Sequence, residues 1–129
     1  MLTLIATPLF ANPALFTKYE TVRQGLLQNS LRDVQVSAAK LSAAATKAKQ
    51  DGIAKAADAV AKSDDLKKAR EAFGALSDEM IKLRASTTGD RPAIAYCPMA
   101  KKSWLQSKSL AIANPYEPAM KECGMWKKD

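Results

Sequence analysis

From residue 12 to residue 86, apolar residues return every three or four positions and polar residues fill the gaps, the period of amphipathic helices. Asn12-Pro13 predicts a helix start, an N-cap followed by proline at the first helical position. Leu15, Phe16, Tyr19, Val22 and Leu26 then make one stripe, to about Asn29. Ser30, with Asp33 three residues on, resembles a capping box and opens a second helix. Its seam, Leu31, Val34, Ala38, Leu41, Ala45 and Ala48, ends in small residues that let a neighbour approach closely. Asp51-Gly52 breaks that pattern, and Ile53, Ala56, Ala57 and Val60 give a short third helix its inner face. Ser63, followed by Asp64 and Asp65, is expected to cap a fourth, in which Leu66, Ala69, Phe73, Leu76, Met80 and Leu83 repeat the step. Lys82 and Arg84 near its end suit the helix dipole. Four amphipathic helices with short connections predict a mainly α protein, an up-and-down four-helix bundle over 12–86. Met80 lies on the core face and reads as packing.

The pattern changes at Thr87-Thr88-Gly89-Asp90-Arg91-Pro92, a loop that ends the bundle. Residues 90–129 make a small C-terminal segment of the same single domain, 12–129. Ala93 to Tyr96 reads as a short strand with Ile94 and Tyr96 on one side, stopped by Pro98. Trp104-Leu105 is expected to tuck over the bundle, and Leu110 with Ile112 to form a second strand pairing with the first. Asn114-Pro115-Tyr116 repeats the cap-plus-proline start and predicts a short helix ending at Gly124, with Met120 and Cys123 on one face.

The formal net charge is +7, but no block of five like charges appears, and lysines alternate with Asp, Glu and Ser. That is a solvated basic face, not the clustered stripe or recognisable module that nucleic-acid binding calls for. Residues 1–11 are apolar and too short to span a bilayer. They read either as a signal-peptide remnant, cleaved after Ala11 although Leu9 is not the small residue expected there, or as an apolar arm on the bundle. The first reading makes the protein periplasmic or otherwise exported. No other run has the length and apolarity of a membrane span.

Candidate chemistry is concentrated in the last third. Both cysteines, Cys97 and Cys123, lie there, in the triplets Cys97-Pro98-Met99 and Cys123-Gly124-Met125, and Met120 precedes the second. Thiolates and thioethers together select soft metals, above all Cu(I), and the chain has no histidine. Zinc fits less well, since its usual sites use four Cys or His ligands. Lys101, Lys102 and Lys121 flank the cysteines and would favour the thiolate. The competing reading is a Cys97–Cys123 disulfide, which on the chain-entropy model would stabilise the fold by about 3–4 kcal/mol. An enzyme is the least favoured class: there is no histidine, no glycine-rich phosphate loop and no Cys-x-x-Cys.

The run Tyr96-Cys97-Pro98-Met99-Ala100, then Trp104-Leu105-Gln106, Ile112-x-Asn114-Pro115-Tyr116 and Met120-x-x-Cys123-Gly124, resembles an uncharacterised bacterial periplasmic domain family. That family occurs as stand-alone exported proteins and at the C-terminus of membrane-fusion (adaptor) subunits of copper and silver efflux systems. The resemblance implies metal ligands Cys97, Met99, Met120 and Cys123, with Met125 as a further candidate and Asn114, Pro115 and Tyr116 shaping the turn between them. This chain has Glu117-Pro118 where the family usually has a glycine. The resemblance tips the balance towards an exported Cu(I) protein, with Ag(I) as mimic, that sequesters or delivers metal in copper resistance. Its partner would be a copper-efflux adaptor or a metallochaperone. The alternative is a disulfide-stapled periplasmic protein-interaction module without metal.

Overall fold

The computed structural model describes residues 12–128, so the apolar leader at 1–11 lies outside the described residues. Four helices come first: α1 (Pro13–Leu27), α2 (Leu31–Lys47), α3 (Asp51–Ala61) and α4 (Leu66–Ala85). Each packs chiefly on its chain neighbours. Their facing stripes form the core: Leu15, Tyr19, Val22 and Leu26 of α1, Val34, Ala38, Leu41 and Ala45 of α2, Ile53, Ala57 and Val60 of α3, and Ala69, Phe73, Leu76, Met80 and Leu83 of α4. Met80 is fully buried, as its place on the core stripe requires.

The helix ends follow local chemistry, with two corrections. Asn12 does not cap α1 with its side chain; it sits in the left-handed region at φ 50°, and the start is fixed by proline in the first turn. The cap of α4 is Asp65, whose carboxylate accepts from Lys68 N at 2.7 Å. Ser63 instead donates back to the Ala59 carbonyl at the end of α3, so its hydroxyl is already spent. Ser30 caps α2 as expected, accepting from Asp33 N. Gly25, inside α1, has a packing reason: a Cβ there would lie 2.9 Å from Val34 Cγ2 and 3.2 Å from Val34 N, so α1 and α2 touch at that point.

Beyond the loop, β1 (Ala93–Cys97), β2 (Lys102–Gln106) and β3 (Met125–Trp126) form an antiparallel sheet in the order β2-β1-β3. The expected second strand was misplaced. Leu110 is exposed in a turn and Ile112 is irregular, whereas Trp104-Leu105 lies within β2, buried on both faces. β1 also buries Ala95 and Cys97 more deeply than Ile94 and Tyr96. The expected helix over 114–124 is absent; two turns take its place, closed by Met120 N to Glu117 O and Cys123 N to Met120 O, each 3.0 Å. Pro118 supplies no N–H and favours such turns over a continued helix.

β2 is an edge strand, and two of its outward backbone groups are met by tyrosine hydroxyls, one from α1 and one from the segment after β2. Leu105 N donates to Tyr19 Oη at 3.1 Å, and Tyr116 Oη donates to the Ser103 carbonyl at 2.6 Å. Both phenols meet at Ser77 Oγ on α4, at 2.7 and 3.0 Å. Tyr19 also stacks on Phe73 with ring centroids 4.8 Å apart. Gly74, beside that cluster, leaves room for the Lys102 side chain, which crosses α4 to pair with Glu71 at 3.0 Å.

Candidate metal centre

The sheet register brings the two Cys-x-Met triplets together. Ala95 pairs with Trp126 and Tyr96 with Met125. The ladder stops there, one residue before Cys97 on β1 and two residues after Cys123 on the other segment. Gly124 is small for a reason: a Cβ there would lie 2.7 Å from the Trp104 ring and 3.1 Å from Ile112 Cγ2. The segment carrying Cys123 therefore lies close against the Trp104 face of the sheet.

The sulfurs differ in exposure. Cys97 is fully buried at the end of β1, and its Sγ accepts from Ala100 N at 3.2 Å, a role that a metal-bound thiolate also fills. Cys123 is half-buried, and both cysteines are free thiols in this structure. Met99 and Met120 are 59% and 46% exposed, one in the β1–β2 loop and the other between the two turns that lead to Cys123. Thus Cys97 at the end of β1 with Met99 in the loop after it, and Met120 with Cys123 in the loop before β3, lie at one end of the sheet. Met125 stands apart. Paired with Tyr96, it projects from the face opposite Cys97 and is 54% exposed. Lys102 spends its charge on Glu71 rather than on a cysteine. Among the described residues, no group of three or more His, Cys, Asp or Glu is placed to hold a metal.

Asn114 fixes the second loop. Its side-chain amide donates to the Cys123 carbonyl at 2.7 Å, its Oδ1 accepts from Tyr116 N at 2.8 Å, and its own N–H donates to the Lys121 carbonyl at 2.7 Å. One buried residue thus closes the loop at both ends.

Two supporting residues escaped the sequence reading. Gln106, buried at the end of β2, accepts from Trp104 Nε1 at 2.8 Å and Ala113 N at 3.1 Å, and donates to the Ala111 carbonyl at 3.0 Å. Arg23, 1% exposed on α1, holds Glu20 bidentately at 2.9 Å and donates to the Ala113 carbonyl at 2.7 Å. The signal for Arg23 was its position: one step past Val22, it falls beside the apolar stripe, where a charge needs a partner. Gln106 stands in the Trp104-Leu105-Gln106 run that carries the resemblance, but nothing in that run marks it as a hydrogen-bonding hub.

A family model of proteins of unknown function, DUF3347, matches residues 16–91. The chain belongs to this family. The match covers the bundle and the loop after it, so the shared DUF3347 unit is the helical scaffold, and the Cys/Met segment follows it. No curated protein and no solved structure matches the chain. Among the described residues of this DUF3347 protein, no helix is long and apolar enough to cross a membrane.

Proposed function

We propose that this DUF3347 protein binds Cu(I), with Ag(I) as its mimic, through Cys97 and Cys123 aided by Met99 and Met120. It acts in the cell envelope, sequestering copper or handing it to an efflux adaptor or metallochaperone. The observation that carries this reading is the antiparallel pairing of β1 with β3, which returns the second Cys-x-Met triplet to the first. The donor set supports it: thiolate and thioether sulfur favour a soft monovalent ion, and no imidazole competes. The exposure of Met99, two residues from the buried Cys97, and of Met120, three residues from Cys123, supports a capture route. Surface thioethers take up the ion without releasing a proton and pass it inward to thiolates, which must release theirs. The resemblance of the Cys-Pro-Met and Asn-Pro-Tyr motifs to domains attached to copper and silver efflux adaptors supports the setting.

X-ray absorption at the copper edge of the loaded protein tests the ligand set. A first shell of sulfur alone is expected, diminished in Met99→Leu and Met120→Leu and lost in Cys97→Ser. A first shell of nitrogen or oxygen contradicts the assignment. Met80→Leu should change stability slightly and leave the copper spectrum as it is, since Met80 is buried among the helices.

A further inference from the structure

A groove of about 1210 Å³ lies at the opposite end of the sheet from the cysteines. Its walls are the first turns of α1, the start of β1, the turn after β2 and the residues that follow β3. Cys97 closes the far end of the five-residue β1, so at about 3.3 Å per residue roughly 13 Å separates the groove from it.

The floor is apolar: Phe16 is half-buried, Leu105 is buried, and Leu110 is 48% exposed. The rim is basic. Lys108, Lys127 and Lys128 line it, and Lys127 lies 5.2 Å from the centre of the Tyr96 ring, a contact that leaves its charge intact. Of the two acids in the lining, Glu20 is already neutralised by its bidentate pair with Arg23, which leaves Asp90. An apolar floor between lysines suits an occupant that carries both carboxylates and apolar side chains. The volume exceeds the roughly 300–1,000 Å³ of small-molecule pockets, which favours a length of peptide over a compact metabolite.

We propose that this groove docks an extended acidic segment of a partner protein. The segment's apolar side chains seat on Phe16, Leu105 and Leu110, and its carboxylates meet Lys108 and Lys128. The segment leaves the cysteine end of the sheet uncovered, so docking and metal exchange can proceed together. The inference rests on the groove alone and stands whether or not the protein binds copper.

The test is fluorescence anisotropy of a labelled peptide of alternating glutamate and leucine, titrated with the full chain at low salt. Three comparisons accompany it: the same peptide with lysine for glutamate, an uncharged peptide of the sequence of residues 1–11, and vesicles of anionic phospholipid. The acidic peptide should bind at least about tenfold more tightly than the basic one, and weaken as salt shortens the Debye length. The double variant Lys108→Glu/Lys128→Glu changes exposed residues only and should cost about tenfold or more in affinity with the circular dichroism of the helices unchanged. Equal binding by that variant overturns the proposal. So does tighter binding of the uncharged peptide, which would make the groove a seat for an apolar segment, or binding of vesicles but not peptide, which would make it a lipid-facing surface.

Discussion

Tyr19→Phe removes one oxygen from the joint between bundle and sheet and leaves nearly everything else in place. The ring keeps its stack on Phe73 at 4.8 Å, so the change makes no large cavity. The loss is polar. Leu105 N, on the edge of β2, loses the acceptor it now has at 3.1 Å, whereas Ser77 Oγ keeps Tyr116 Oη at 3.0 Å. One buried amide is therefore orphaned, at a cost of about 1–3 kcal/mol. With a urea slope of roughly 1–3 kcal/mol/M for a protein of this size, a loss of about 2 kcal/mol lowers the midpoint by about 1 M. The assay is equilibrium urea unfolding, followed by the fluorescence of the tryptophans, which lie in the sheet, and by far-ultraviolet circular dichroism of the helices. Both transitions should move down together, because the hydroxyl ties the two parts into one cooperative unit. A midpoint shift below about 0.2 M refutes the orphaned-amide argument. Movement of the fluorescence transition alone refutes the coupling.

Gly25→Ala should destabilise by about 1–3 kcal/mol in the same assay, because the new methyl meets the Val34 side chain and backbone of α2. Gly74→Ala should be nearly neutral: its methyl meets only the flexible Lys102 side chain, and alanine recovers about 0.8–1 kcal/mol of helix propensity. Burial pushes the phenols of Tyr19 and Tyr116 above their ordinary value, so the folded state holds their protons where the unfolded chain has released them. Their contribution is complete below the unfolded value of about 10 and falls as pH rises above it. Urea midpoints taken from neutral to strongly alkaline pH should accordingly drop more steeply for the wild type than for Tyr19→Phe/Tyr116→Phe. Asn114→Ala should loosen the loop that carries Met120 and Cys123 and weaken copper binding, with the helical circular dichroism retained. Copper affinity equal to that of the wild type would show that this loop plays no part in the site.

The helices were legible because burial of one face imprints a three-to-four residue period, and each expected stripe proved to be the buried one. The caps were less so: Ser63 and Asp65 are both good cap residues, and only the path of the chain decides which hydroxyl or carboxylate meets a free N–H. The C-terminal segment was misread where its order comes from distant partners. Lys102 to Gln106 forms a strand without polar–apolar alternation: Trp104 and Leu105 are both buried, because one packs under Gly124 and the other against α1. That double burial masks the period of two. The turns after Tyr116 depend on Asn114 bonding to residues seven and nine positions on, which no local pattern reveals. The clustering of sulfur was visible from spacing alone. That Met125 faces away from Cys97 needed the register.

Cys97 and Cys123, with Met99 and Met120, are proposed to form a soft-metal site at the cysteine end of the sheet. Its most direct test is a titration of the fully reduced protein with Cu(I), without oxygen, against a chromophoric chelator. The protein should withhold about one equivalent from the chelator, and Cys97→Ser/Cys123→Ser should withhold none. Equal competition by the wild type and the double variant, or no competition by either, would contradict it.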